Sequence, residues 1–84
     1  MDGARDVVLA ACAAHGLTLI ASGQKPGNPF VTDYVVSDGV NRATVSVGLF
    51  EAAAAAAGVG GGSVARHVSG AAAMLRAARE APRG

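Results

Sequence analysis

The chain is poor in aromatic residues and carries almost no net charge. It has one Tyr, two Phe and no Trp among 84 residues. Seven Lys and Arg residues against six Asp and Glu residues leave a formal net charge of +1. A dedicated nucleic-acid binder usually has a clear basic excess or a dense basic patch. The composition has no such excess, so any phosphate binding has to come from a few well-placed residues.

Cysteine is represented by a single residue, Cys12. One cysteine excludes an intramolecular disulfide and a Cys-rich metal site. Cys12 lies within an apolar helical pattern, so we expect a small core residue rather than a reactive thiol.

Long hydrophobic runs and a targeting signal are also missing. The alanine- and glycine-rich tract of residues 52–65 is interrupted by glycines and is too weakly hydrophobic to span a bilayer. The first residues lack a cationic region followed by a long apolar stretch. We therefore expect an intracellular, cytoplasmic protein without membrane contact.

No group of residues has the pattern of a catalytic site. The acidic residues are scattered, and the imidazoles, His15 and His67, are expected to be surface or capping residues. No Ser, Thr or Cys has an adjacent base. The glycine-rich residues 58–62 before Ser63 resemble a phosphate cradle but lack the Gly-Lys-Ser/Thr ending of a nucleotide-binding loop. We therefore predict no enzyme activity, no cofactor, no metal and no small-molecule substrate.

The apolar residues that are present predict one small α+β domain at residues 3–80, followed by a short tail at 81–84. Hydrophobic residues make up 51% of the chain, and nearly half of them are Ala. Alanine buries little area, so the core depends on a few larger residues. A helix is predicted at 3–15, with Asp2 as its N-cap and an end at His15-Gly16.

Three β segments are predicted after this helix. Residues 17–21 form a short β-rich run, and the turn formers of residues 22–29 predict a loop. Two strands at 30–37 and 40–47 flank Asp38-Gly39, a strong hairpin signal.

A two-residue turn at Asp38-Gly39 would pair Val36 with Asn41 and Tyr34 with Ala43. Strand alternation then divides the side chains between a core face and a solvent face. The predicted core face carries Phe30, Tyr34, Val36, Ala43, Val45 and Val47. The predicted solvent face carries Asp33, Arg42, Thr44 and Ser46.

The last third of the chain predicts helical structure on both sides of the glycine-rich segment. Residues 51–57 are compatible with a helix, and Ser63 would cap a second one that runs to about Glu80 and stops at Pro82. This helix carries an apolar stripe of mostly small residues: Val64, Val68, Ala71, Ala72, Leu75 and Ala78. The predicted fold is therefore α-β-β-β-α, a three-stranded antiparallel sheet with two helices packed on one face.

This element order, together with particular residues between Asp6 and Arg79, resembles the double-stranded-RNA-binding domain family. Residues 7–17 are similar to the family's first helix and its Gly-Leu exit, and Gly23 and Phe30 have the spacing of its loop into the second strand. Residues 35–39 are similar to its hairpin. Gly62-Ser63, followed by residues 71–75, is similar to the start and the alanine-rich core of its last helix.

The chain departs from the family at the residues that bind RNA. Pro26 stands where the family has a minor-groove His, with Lys25 beside it. Val64 and Ala65 replace the basic cluster that contacts phosphates, and the segment of residues 49–58 is additional. The RNA-contacting residues that the resemblance leaves are Lys25, Arg66 and His67.

Because basic residues supply most of the affinity for duplex RNA, these losses favour a module that acts mainly through protein contact. The expected partner is a second copy of the chain or an RNA-processing protein, with weak double-stranded RNA binding.

Two other functions remain open. One is a functional RNA binder that uses Lys25, Arg66, His67 and Arg76. The other is an unrelated small inhibitor or helper protein, which a non-sequential strand order would favour. The start of the last helix also stays open between Leu49 and Ser63.

Overall fold

The structure is a computed structural model that describes residues 3–58 and 62–81. Within these residues the chain forms three helices and three strands. In chain order they are α1 (Gly3–Ala14), β1 (Thr18–Lys25), β2 (Asn28–Ser37), β3 (Arg42–Gly48), α2 (Leu49–Ala56) and α3 (Ser63–Glu80).

The strands form one antiparallel sheet in the order β1-β2-β3. Side chains from α1 and α3 join those of the sheet in a single core, so these helices cover the same face. The α+β class and the α-β-β-β-α order predicted from the sequence are confirmed, with α2 as a short additional helix between β3 and α3. The strand order is a sequential meander, which is the order that a resemblance to the double-stranded-RNA-binding domain predicts.

The first helix ends close to the predicted position. His15 and Gly16 follow the last residue of α1, and Gly16 adopts a φ of 68°. Leu17 N–H donates to the Cys12 carbonyl at 2.8 Å, which closes the helix end. A positive φ at the residue after a helix is the usual reason for glycine there. The predicted N-cap, Asp2, lies outside the described residues.

The predicted loop at 22–29 is wrong, because β1 and β2 extend through it as a hairpin. Lys25 pairs with Asn28, so the turn is reduced to Pro26-Gly27. Gly27 has a φ of 78°. Proline followed by a glycine of positive φ is the combination that a type II turn uses. The turn formers therefore mark the tip of a hairpin, whose register is irregular at two places, between Leu19 and Ala21 and between Gln24 and Lys25.

The predicted register of the second hairpin is wrong by two residues. Ser37 pairs with Arg42 and Val36 with Ala43, so the connection has four residues, 38–41. The Asp38 carboxylate stabilises this longer loop, because its Oδ1 accepts hydrogen bonds from the N–H groups of Val40 at 2.8 Å and Asn41 at 2.7 Å. These side-chain bonds compete with the two-residue turn that the Asp-Gly pair favours. A shift of two keeps every side chain on its predicted face.

The core contains most of the residues that strand alternation and helical spacing predict. Cys12 is 1% exposed, as predicted for a small core residue. Two predicted core positions are wrong: Ala78 is exposed near the end of α3, and Phe30 is 63% exposed because β2 extends there beyond the last residue of β3. The buried set is Val8, Cys12, Leu17, Tyr34, Val36, Val45, Val47, Val64, Val68, Ala71, Ala72 and Leu75.

The sequence left two starting points for the last helix, Leu49 and Ser63, and the structure has a helix at each of them. A helix begins at Leu49, and a separate one begins at Ser63, so the long final helix starts at the later of the two alternatives. The predicted capping role of Ser63 is wrong. Gly62, with a φ of 81°, is the N-cap residue of α3, and Ser63 is already helical. The Ser63 hydroxyl instead donates to Glu51 at 3.0 Å. Pro82 lies outside the described residues.

Candidate binding surfaces

Both phenylalanines of the chain lie on the protein surface. Phe30 is 63% exposed at the start of β2, and Phe50 is 85% exposed in the first turn of α2. Leu49, the residue before Phe50, is also largely exposed. A chain with so few large apolar residues leaves these three out of its core, and exposed aromatic side chains are enriched in protein interfaces.

A shallow groove of about 190 Å³ connects Phe30 with the start of α2. The groove residues carry no charge, and they come from β1, β2, β3 and α2. They are Ser22, Pro29, Phe30, Thr32, Tyr34, Val47, Leu49 and Ala52. We call this groove together with Phe50 the phenylalanine patch. It offers a concave uncharged surface with an exposed aromatic ring beside it.

A second groove runs between the free edge of β3 and α3. Its volume is about 720 Å³, and the basic side chains that line it are Arg42, Arg66 and His67. The other residues that line it are Ala43, Thr44, Val45, Ser46, Gly70, Ala71 and Met74. We call it the β3–α3 groove. The structure therefore brings Arg66 and His67 together, as consecutive residues near the start of one helix.

Lys25, the third predicted RNA-contacting residue, is not among the residues that line the β3–α3 groove. It is the last residue of β1, beside the hairpin turn. The pair Val31–Gly48 is the last one between β2 and β3, so this hairpin tip extends beyond the third strand. Arg42, which does line the groove, was assigned from the sequence only to the solvent face. Its place in the same groove as Arg66 depends on how α3 packs on the sheet, which no local pattern encodes.

Glu51 connects the start of α2 to the start of α3. One oxygen, Oε2, accepts a hydrogen bond from Ser63 Oγ at 3.0 Å and lies 2.6 Å from His67 Nε2. The other oxygen accepts from Gly48 N–H at 3.4 Å, which caps α2. These contacts, first of all the one with His67, lower the pKa of Glu51. His67 therefore has a partner within the chain, which weakens its predicted role as a free RNA contact.

The lowered pKa of Glu51 predicts how stability changes with pH. A carboxyl whose pKa is lower in the folded state stabilises the protein above its unfolded pKa, and this contribution is lost as pH falls through the folded value. We expect Glu51→Gln to lower the free energy of unfolding at pH 7 by about 0.5–1 kcal/mol, a modest value because the pair is partly exposed. The difference from wild type should shrink between pH 7 and pH 3, as the carboxylate becomes protonated. Urea unfolding at both pH values measures it.

Glu80→Gln is the matched control for Glu51→Gln, because Glu80 is an exposed carboxylate in the last turn of α3. We expect this control to remain within about 0.5 kcal/mol of wild type at both pH values. Equal effects of the two variants at pH 7 would contradict the role given to Glu51.

The C-terminal end of α3 contacts the loop between β2 and β3. Arg79 Nε lies 3.9 Å from Asp38 Oδ2, and the Asp38 side chain is only 9% exposed. The two backbone hydrogen bonds to Oδ1 are the main reason why the pKa of Asp38 is lowered, with a smaller contribution from Arg79. This contact connects α3 to the loop, while the hydrogen bonds to Asp38 Oδ1 stabilise the loop itself.

Among the described residues, no three His, Cys, Asp or Glu side chains are grouped so that they could hold a metal ion. In the same part of the chain, no helix is long and apolar enough to cross a membrane.

Burial raises the pKa of the Cys12 thiol, which disfavours the reactive thiolate.

Comparisons of the chain with models of known protein families, with curated proteins and with solved structures found no match. The resemblance to the double-stranded-RNA-binding domain remains a prediction.

Proposed function

We propose that this protein is a non-enzymatic binding module that acts mainly through protein contact. In this proposal it is similar to the double-stranded-RNA-binding domain in its order of helices and strands. The observation that carries the proposal is the exposure of both phenylalanines beside one uncharged groove. Burying these side chains in the core would stabilise a small domain, so their position on the surface favours a role in binding.

We propose that the phenylalanine patch binds a second copy of this chain. The patch combines a knob, Phe50, with a neighbouring hole bordered by Leu49 and Ala52. An interface with two-fold symmetry needs a surface that is complementary to itself, and a knob beside a hole meets that requirement. The groove has no charged residue that would oppose another copy of itself. Phe50 of each copy would fill the groove of the other.

Self-association is expected to depend on Phe50. Sedimentation equilibrium between about 5 and 500 µM should show a monomer–dimer equilibrium for wild type, with a Kd near 10–100 µM for an interface of this small size. Phe50→Ser should weaken dimerisation at least tenfold, because it removes the aromatic knob. It should stay folded, since Phe50 is exposed and serine has a similar helix propensity.

Val40→Ser is the matched control for Phe50→Ser. Val40 is 66% exposed in the loop between β2 and β3, outside both grooves. We expect its dimerisation constant to equal that of wild type. A wild-type protein that remains monomeric at 500 µM would exclude the second copy as the partner.

The proposal includes weak binding of double-stranded RNA. Lys25, Arg66 and His67 are the candidate contacts, and His67 is in contact with Glu51. Few cationic contacts give low affinity and a weak dependence on salt. Each phosphate contact adds about −0.7 to −0.9 to the slope of the logarithm of the binding constant against the logarithm of the salt concentration. Little sequence preference is expected, because duplex RNA is recognised mainly by shape and backbone contacts.

Fluorescence anisotropy with a duplex of about 16 base pairs, the length that such domains span, measures this affinity. We expect a Kd no tighter than about 20 µM near physiological salt, because so few phosphates are contacted. The double variant Lys25→Ala with Arg66→Ala should bind more weakly still. Submicromolar binding that survives this double change would refute the proposal and place the RNA surface elsewhere, first of all along Arg76 and Arg79.

A further inference from the structure

We infer that the β3–α3 groove is a binding site for an extended acidic protein segment, which adds to the sheet as a fourth strand beside β3. The inference does not depend on self-association, because it concerns a different surface of the molecule. It combines the free strand edge, the charge of the groove and the space that α3 leaves open.

The first observation is the free edge. β3 is the outer strand of the sheet and hydrogen-bonds to β2 on one side only. Its sequence, Arg-Ala-Thr-Val-Ser-Val-Gly, contains no proline, and its one charged residue, Arg42, is the first of the strand. Proteins commonly protect an edge strand with such residues or with a bulge, and the register between β2 and β3 has no bulge. The edge is therefore suited to pair with another extended chain.

The second observation is the charge of the groove. Arg42 and Arg66 are exposed, and neither has an ion pair with a described residue. No Asp or Glu is among the residues that line the groove, although the lining residues Ser46 and His67 contact the carboxylates of Asp33 and Glu51. Unpaired cations beside a strand edge favour a partner with carboxylates, whereas a basic segment would be repelled.

The third observation is the open wall of α3. Gly70 lines the groove, and a Cβ atom built there would meet no atom within 4 Å. Glycine inside a helix is destabilising relative to alanine, so its presence in α3 has a cost in stability. The space it leaves admits a neighbouring backbone, and Met74 supplies a flexible apolar side chain on the same wall.

The duplex RNA predicted for Arg66 and His67 competes with a peptide as the occupant of this groove. The strand edge favours the peptide, because unpaired backbone N–H and C=O groups recognise another backbone in β pairing. Duplex RNA would need further cationic contacts across two minor grooves. Lys25, which stands apart at the hairpin tip, is not in the groove.

The test uses a capped pentapeptide, Glu-Val-Thr-Val-Glu, whose carboxylates lie about 13 Å apart when extended. That is the length of the β3 segment that lines the groove, residues 42–46. Titration into ¹⁵N-labelled protein should shift the amide signals of residues 42–48 and give a Kd of roughly 0.1–1 mM, as expected for a short flexible peptide. The peptide Lys-Val-Thr-Val-Lys should bind at least tenfold more weakly, and so should the acidic peptide with N-methylated backbone amides.

Two protein variants test the same site. Gly70→Leu should abolish peptide binding by filling the groove, and it should not unfold α3, since leucine favours helix more than glycine does. Ala73→Leu, at an exposed position of the same helix outside the groove, should bind like wild type. The double variant Arg42→Glu with Arg66→Glu should prefer the lysine peptide, while Arg76→Glu should not.

Three results would overturn the inference. They are no amide shifts at 5 mM peptide, equal binding of the acidic and basic peptides, and full binding of the N-methylated peptide. Duplex RNA that shifts the same amides where the peptide does not would assign the groove to nucleic acid instead. Since none of these readouts involves oligomeric state, failure here leaves the proposed dimerisation untouched.

Discussion

Replacing Tyr34 with Asp is expected to unfold the protein. Tyr34 is 3% exposed at the centre of the sheet, opposite Val45 on β3. A carboxylate there would be moved from water into the core, and burying a charge costs several kcal/mol. A domain of this size has a total stability of about 5–10 kcal/mol, so the loss approaches the whole margin. Circular dichroism at 25 °C should show loss of the folded signal or a melting temperature lowered by more than about 15 °C.

Thr44→Asp is the control for Tyr34→Asp, because it places the same carboxylate on the opposite face. Thr44 is exposed and pairs with Val35. We expect a loss of at most about 1 kcal/mol, which is the poor β propensity of Asp. If Thr44→Asp unfolded the protein and Tyr34→Asp did not, the assignment of the two faces would be reversed.

The second large effect is expected for Leu75→Ala. Leu75 is 4% exposed and is the one leucine of α3. Its α3 neighbours in the core are valines and alanines, so few side chains can expand to fill the space that it leaves. Truncating a buried leucine costs about 2–5 kcal/mol, with the larger values where the cavity cannot collapse. We expect a loss of about 3 kcal/mol in urea unfolding.

Leu49→Ala makes the same chemical change at a surface position. Leu49 is 54% exposed at the first position of α2. Alanine is at least as favourable in a helix as leucine, so stability should change by less than about 0.5 kcal/mol. Because Leu49 belongs to the phenylalanine patch, the same variant should weaken dimerisation. A stability loss equal to that of Leu75→Ala would mean that Leu49 belongs to the core.

The sequence predicts the fold better than it predicts the connections. Strand alternation and helical spacing identify Tyr34, Val45 and Val68 as core residues, because both periodicities follow directly from backbone geometry. The error of two residues in the register near Asp38 arose because its side chain accepts two backbone hydrogen bonds and favours a longer loop. Propensity alone cannot weigh such bonds against a two-residue turn. The same limitation made the turn formers around Pro26 indicate a loop instead of a hairpin tip.

The candidate surfaces were less accessible to prediction than the fold. Phe30 was assigned to the core because strand alternation places it on the same face as Tyr34 and Val36. Only the mismatch in length between β2 and β3 exposes it. The contact of His67 with Glu51 joins two helices across a glycine-rich segment, and no local spacing indicates it. Arg42 and Arg66 line the same groove only because α3 packs on the sheet. These are long-range consequences of tertiary packing, which local propensity does not contain.

Isotope-filtered nuclear Overhauser measurements on a mixture of labelled and unlabelled protein test the central proposal most directly. At a concentration where sedimentation shows dimer, we expect intermolecular contacts between the Phe50 ring of one copy and the side chains of Pro29, Phe30 and Ala52 of the other. Contacts confined to the β3 edge, or no intermolecular contact from Phe50, would contradict it.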